Sequence, residues 1–326
     1  MDISKIAELA GVSKATVSRY LNDGYVSQAN RQKIAEVIAE TGYVPSRTAK
    51  TLRTGKTQVI GVIIPKINSA SVSEMVSGMS QFLNSRGYQM LLANVANDEK
   101  KELDFLELFT RAGNVDGVVL IGTVLTAQHR KLLHELTIPV VVLNQSAAGV
   151  TSIFQPDYQA MFKLAKKVLK KAQKAAYIGV LSEDISAGKM RTKAFCDAYQ
   201  ECGLGGNPPT YVAGFNEESG YRLAGEILAD IPRVDTIMCA SDHIALGVIA
   251  KLVEQGLKVP EQVQVTGVGN AKISPYVVPP LTTIHYSYFQ SAGLAAERLL
   301  ELIKDRQRAV EHLEMDYQII ERLSTR

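Results

Sequence analysis

Between Gln58 and Asn270 the chain alternates short runs of Val, Ile and Leu with longer amphipathic stretches, and this rhythm limits the possible folds more than any other feature. The apolar runs are VIGVII (59–64), YQMLLANV (88–95), DGVVLIG (116–122), PVVVLN (139–144), AAYIGVL (175–181), TYVAGF (210–215), DTIMCAS (235–241) and VQVTGVG (263–269). Helices are expected between them at about 72–86, 99–112, 158–171, 189–202, 217–230 and 243–255. Strands that are apolar throughout, rather than at every second residue, need cover on both faces. They therefore predict parallel sheets with right-handed helical crossovers. Roughly ten strands exceed one small sheet, so the pattern predicts two doubly wound lobes. The break falls near 151–157 and the chain crosses back near 282–288. One lobe is expected from 58–154 and 288–313, the other from 155–284 and 314–326.

The first 57 residues follow a different pattern. They hold nine Lys/Arg against five acids, whereas the whole 326-residue chain has 36 against 33 and a net charge of only +3. A small basic module joined to a near-neutral body suggests a polyanionic partner. Within it Asp2 can cap a helix with Ile3, Ile6, Ala7 and Ala10 on one face, Gly11 and Val12 turn the chain, and Ser13 can cap a second helix. A third helix starts near Ser27, carries Ile34, Val37 and Ile38, and stops at Gly42, with Pro45 beyond. Two short helices joined by a tight Gly-containing turn make a helix-turn-helix. In its second helix Lys14, Ala15, Ser18 and Arg19 can face outward while Val17 and Leu21 face inward, as a helix that reads base edges requires.

The run KIAELAGVSKATVSRYLN (5–22) resembles the N-terminal signature of LacI/GalR-family transcriptional repressors, with Lys5 where the family usually has Asp. Later landmarks recur in order: GYVPSRTAKTLRTGKT, DGVVLIG, RTKAF, SDHIALGVIAKL and PPLTTIHYSY. The resemblance covers almost the whole chain and implies an all-α DNA-binding domain (1–57) on an α/β core of two Rossmann-like lobes (58–326), as in periplasmic binding proteins. It implies a cytoplasmic homodimer that reads a palindromic double-stranded operator and answers to a sugar or sugar phosphate, and stretches such as RYLNDGYVSQ are most similar to repressors of sucrose operons. DNA contacts are expected from Ser13, Lys14, Ala15, Thr16, Ser18, Arg19 and Asn22. Residues 46–54 would form a hinge helix on DNA, with Leu52 wedged into the minor groove and Arg47, Ala49, Lys50 and Arg53 beside it.

For the effector, the resemblance points to Arg191 as a fork donor to hydroxyls or a phosphate, to Phe215 as a stacking wall, and to Asp242 at the end of the TIMCAS strand. Read alone, Arg191 fits an exposed helix arginine, Asp242 a helix N-cap and Phe215 a core residue. Lys66, Asn68, Ser69, Asn144 and Gln145 also follow apolar strands, at the ends where such sheets bind ligands. GVGN at 267–270 departs from the usual family turn. Gly269 stands where an acid often meets sugar hydroxyls, and Asn270 is the substitute.

Other classes fit less well. GVGNAK lacks the third glycine of a dinucleotide fingerprint, no G-x-S-x-G occurs, and the five histidines show no metal-binding spacing. Cys196, Cys202 and Cys239 form no C-x-x-C pair. We therefore expect no catalytic residue, metal or cofactor. The opening MDISKIAELAGV lacks a signal-peptide core and no run of 18 apolar residues occurs, which predicts a cytoplasmic protein without a membrane partner. The alternatives are a cytoplasmic sugar-binding protein or an NAD-type enzyme of similar two-lobed fold.

Overall fold

The computed structural model describes residues 2–22, 24–43, 55–111 and 113–326. The chain divides into two compact units, Met1–Gln58 and Val59–Arg326.

In the first unit, α1 (Ile3–Leu9) is capped by Asp2, whose carboxylate accepts the Lys5 N–H at 2.9 Å. Gly11 then takes a left-handed φ of 63°, a turn that any side chain would strain. Ser13 caps α2 (Lys14–Tyr20), its Oγ accepting the Thr16 N–H at 3.1 Å. The third helix, α3 (Gln28–Thr41), ends at left-handed Gly42. Ile6, Ala7, Ala10, Val17, Val26 and Ile34 form its buried core. Val17 is fully buried, so Val17→Ala should cost about 2 kcal/mol, two lost methyl groups at ~0.8 each plus the cavity they leave. Hydrogen exchange of the amides in 3–41 would measure that loss.

The second unit begins with β1 (Val59–Ile64), α4 (Ala70–Ser85), β2 (Gln89–Asn94), α5 (Glu99–Arg111), β3 (Gly117–Ile121), α6 (Ala127–Glu135), β4 (Val140–Leu143) and β5 (Ser152–Phe154). The chain then passes to a second lobe. This contains α7 (Asp157–Leu169), β6 (Ala175–Gly179), a π-helical turn (Ile185–Met190) running into α8 (Arg191–Glu201), and β7 (Thr210–Val212). It continues with α9 (Glu217–Asp230), β8 (Thr236–Cys239), α10 (Asp242–Glu254), β9 (Gln264–Val268) and β10 (Thr282–Tyr286). Next, α11 (Tyr288–Lys304) and β11 (His312–Glu314) return to the first lobe, and β12 (Tyr317–Ile320) ends in the second.

The first sheet has the order β11-β5-β4-β3-β1-β2 and is parallel throughout. The second has the order β12-β10-β9-β8-β6-β7 and is parallel except that β12 runs antiparallel to β10, Thr283 facing Ile320. The expectation of purely parallel sheets fails there because β12 arrives from the other sheet through two residues, with no crossover helix to set its direction. The run YQMLLANV also departs from the expected two-sided burial: β2 is a sheet edge, and Leu91 and Leu92 are 44% and 36% exposed. Helix α11 packs against α4 so closely that a Cβ on Gly78 would lie 2.1 Å from the Phe289 carbonyl oxygen.

Candidate functional site

Helix α2 presents Lys14, Ala15 and Arg19 to solvent while Val17 is sealed beneath it. Thr16 and Ser18 are half-buried, and the Ser13 and Thr16 hydroxyls lie 2.8 Å apart, so the start of the helix is held by its own side chains. The Asn22 amide donates to the Ser18 carbonyl at its end. Arg31 of α3 sits over the Tyr20 ring at 5.4 Å, packing the two helices together. The result is a short rigid helix with two cations and a methyl group on its open face, the chemistry needed against phosphates and base edges. Arg47, Ala49, Lys50, Leu52 and Arg53 lie outside the described residues.

In the second unit the proposed effector residues cluster at the carboxyl ends of strands, but their polar groups have different fates. Lys66, after β1, places its Nζ 5.7 Å from the centroid of Phe215, after β7 in the other sheet. Next to Phe215, Glu217 accepts a 2.5 Å hydrogen bond from His243 Nδ1, and this bond, with Lys66 further out, holds its carboxyl below the usual range. Asn144 adopts φ 77° and its carbonyl accepts the Ser186 hydroxyl at 3.1 Å, again between the two lobes. Asn68 is exposed, and Ser69 precedes α4 with its hydroxyl 3.1 Å from that of Ser71. Lys66, Asn68, Ser69, Asn144 and Phe215 thus keep side chains at an open rim.

The remaining candidates are bound internally. Arg191, 6% exposed, donates from Nε to Asp157 Oδ1 and from Nη1 to the Ala240 carbonyl, both at 2.6 Å. Burial opposes its charge most strongly, but the Asp157 carboxylate together with Tyr286, Tyr288 and Tyr177 outweighs that and holds it well above the ordinary arginine range. Asp242 does not take the N-cap position that it suggests when read alone. Ser241 is the cap, and Asp242, in the first turn of α10, accepts from Ala271 N (2.6 Å), Ser274 Oγ (2.6 Å) and Thr283 Oγ1 (2.5 Å). Burial pushes the Asp242 carboxyl up against those three bonds. Gln145 is 4% exposed and its amide donates to the Thr123 carbonyl. Asn270 receives Arg322 Nη2 at 2.6 Å, while Gly269 takes φ 124° and donates its N–H to Ile284. Sequence reasoning missed Asp157, Ser186, Glu217, Tyr286 and Tyr288. The two tyrosines stood in the quoted PPLTTIHYSY run beside the expected crossover, which was the available signal.

Residues 2–46 match bacterial regulatory proteins of the lacI family, and residues 168–325 match a periplasmic binding protein-like domain. Over 304 residues the chain is 31% identical to a sucrose operon repressor of Staphylococcus xylosus, covering 93% of this chain and 94% of that protein. The chain belongs to the LacI family. It is also 29% identical over 331 residues to the transcriptional repressor PurR of Pasteurella multocida, covering 99% and 98% of the two chains. The crystal structure of the lac repressor dimer bound to operator and the anti-inducer ONPF shares its fold, with a TM-score of 0.91 at 21% identity over 100% of this chain and 99% of that one. This LacI-family member is therefore a DNA-binding transcriptional regulator rather than an enzyme. No helix among the described residues is long and apolar enough to cross a membrane.

Proposed function

We propose that this regulator is a cytoplasmic repressor of a carbohydrate-utilisation operon, binding a palindromic operator as a homodimer and released or tightened by a sugar or sugar phosphate. The observation that carries the DNA half of this reading is α2, with Lys14, Ala15 and Arg19 exposed over buried Val17. One such helix offers few base contacts, so two copies on a palindrome are needed for specificity. Residues 1–57 would read the operator, with Leu52 wedging the minor groove and Arg47, Ala49, Lys50 and Arg53 flanking it. Residues 58–326 would bind effector and the second subunit. Apolar side chains support pairing: Leu91 and Leu92 on the β2 edge, and Tyr276 and Val278, 79% and 84% exposed, in the loop before β10. Leu91→Glu with Tyr276→Glu should therefore shift the protein from dimer to monomer in analytical ultracentrifugation at micromolar concentration.

The relative named a sucrose operon repressor favours sucrose or its phosphate as effector. The rim set supports the same class. Lys66 offers a cation, Asn68, Ser69 and Asn144 offer hydrogen bonds, and Phe215 offers an apolar face for a sugar ring. A phosphorylated sugar would gain most from Lys66. A thermal-shift screen of sugars and their phosphates against the full chain, followed by operator binding with each hit, tests the reading. Lys66→Ala should weaken a phosphorylated effector at least tenfold, about 1.4 kcal/mol, and a neutral sugar far less. Operator binding indifferent to every sugar would reject the effector half, and no sequence-preferring duplex binding would reject the DNA half.

A further inference from the structure

Lys163, Lys166, Lys167 and Lys170 recur along α7 and its C-cap at the helical spacing that puts them on one face. They border a groove of about 820 Å³ whose other wall is β12, with Phe162 on the helix side and Tyr317 and Ile319 on the strand side giving it an apolar floor. The Lys163 ammonium stands 5.8 Å from the Tyr317 centroid, and Lys167 Nζ lies 2.5 Å from Glu321 Oε1. Tyr317, Ile319 and Glu321 alternate along the chain, so this side of β12 faces α7. The two contacts advance together, so helix and strand run the same way along the groove.

The strand in this groove is also the end of its sheet. β12 pairs with β10 on one side only, so every second residue of 317–320 turns its backbone N–H and C=O away from the sheet. From Lys163 to Lys170 the helix advances about 10 Å, and β12 advances about as far from Tyr317 to Ile320. The cations thus cover the whole open edge. Glu314 and Asp316, exposed just before β12, mark where an anion can no longer follow it. Two of the four lysines already meet carboxylates, Lys166 with Glu201 of α8 at 2.9 Å and Lys167 with Glu321. Among the described residues Lys163 and Lys170 are exposed and have no carboxylate partner.

We infer that this groove docks an acidic, extended segment of a partner protein, which adds to the β12 edge as a further strand and sets its carboxylates against Lys163 and Lys170. The Lys167–Glu321 pair shows the contact in miniature: an acid carried next to β12 already reaches α7, and one on the next strand, about 4.8 Å further out, reaches the exposed lysines. Backbone hydrogen bonds to β12 supply affinity, and acids at alternate positions supply specificity, their methylene stems lying over Phe162 and Ile319. A nucleic acid fits less well, because its phosphates repeat without a gap and Glu201 and Glu321 stand among the lysines. The effector rim is elsewhere: Phe215 follows β7, at the opposite edge of this sheet, so the inference holds whichever ligand the rim takes.

The test titrates the full chain with a fluorescein-labelled octapeptide of alternating glutamate and valine, read by anisotropy, and follows hydrogen exchange in the same samples. The expected result is saturable binding at micromolar peptide, with exchange slowed across 317–320. Lys163→Glu with Lys170→Glu should weaken binding about tenfold, as two attractions become repulsions, and leave operator affinity at the wild-type value. The octapeptide with every backbone nitrogen methylated should not bind. Absence of saturable binding, equal binding of the methylated peptide, or wild-type binding by the double variant would overturn the inference. So would stronger protection of 317–320 by oligothymidylate than by the peptide, which would give the groove to nucleic acid. A lower sedimentation coefficient for the unliganded double variant would overturn it too, giving the groove to a second copy of this chain. Should the double variant not fold, Lys163→Gln with Lys170→Gln is judged by the same readouts.

Discussion

Replacing Lys14 and Arg19 together with alanine lowers affinity for the palindromic operator by about 2–6 kcal/mol in total, taking roughly 1–3 kcal/mol for each good base contact. That is between one and four decades in Kd. Both side chains are exposed and neither contributes to the core formed by Ile6, Val17 and Ile34, so the helix-turn-helix remains folded. The salt dependence of binding also becomes shallower, because whichever of the two cations meets a phosphate no longer displaces counterions. Electrophoretic mobility shift or fluorescence anisotropy at two salt concentrations measures both effects. A folded double variant with wild-type operator affinity would remove α2 from the interface.

Asp242→Ala lowers the melting temperature of the second unit sharply. Its carboxylate satisfies three donors, the Ala271 N–H and the Ser274 and Thr283 hydroxyls, in a site only 1% exposed. Each orphaned buried donor costs about 1–3 kcal/mol, so the variant loses roughly 3 kcal/mol or more. At about 2–4 °C per kcal/mol for a domain of this size, differential scanning calorimetry should record a fall of roughly 6–12 °C. The bonds tie the start of α10 to the segment after β9 and to β10, so the damage is to the floor on which the rim stands. A variant with unchanged stability but lost sugar response would return Asp242 to the ligand.

These two cases show why the site was only partly legible before the fold was known. Lys14 and Arg19 could be assigned because a two-turn helix sets the direction of every side chain by periodicity alone: Val17 must go in, so they must go out. Ser13 and Asp2 could be assigned as caps for the same local reason, since a cap needs only the N–H groups two or three residues on. Asp242 was placed by strand position and Arg191 by a motif resemblance, and neither says which partners arrive there. The donors that occupy Asp242 come from residues 29 to 41 positions away in sequence, and the carboxylate that holds Arg191 lies 34 away. Gln145 illustrates the same limit: one residue beyond Asn144 at the end of β4, it turns into the lobe to reach Thr123, 22 residues back.

By itself the sequence determined what depends on local pattern: a basic helix-turn-helix with its caps and inward valine, followed by an α/β body with strands at VIGVII, DGVVLIG, PVVVLN and TIMCAS and helices between them. Periodicity and capping act within a turn or two, so they survive without knowledge of the fold. The tertiary structure alone decided that β12 runs antiparallel, that β2 is an edge with Leu91 and Leu92 exposed, and that Lys66 meets Phe215 across the cleft. It also decided that Arg191 bonds Asp157 and Asp242 bonds Thr283 inside the protein, while Lys66, Asn144 and Phe215 stay partly exposed. Those outcomes depend on which distant segments meet, and a buried polar group pairs with whichever partner the packing brings to it, because leaving it unpaired costs more than the choice of partner.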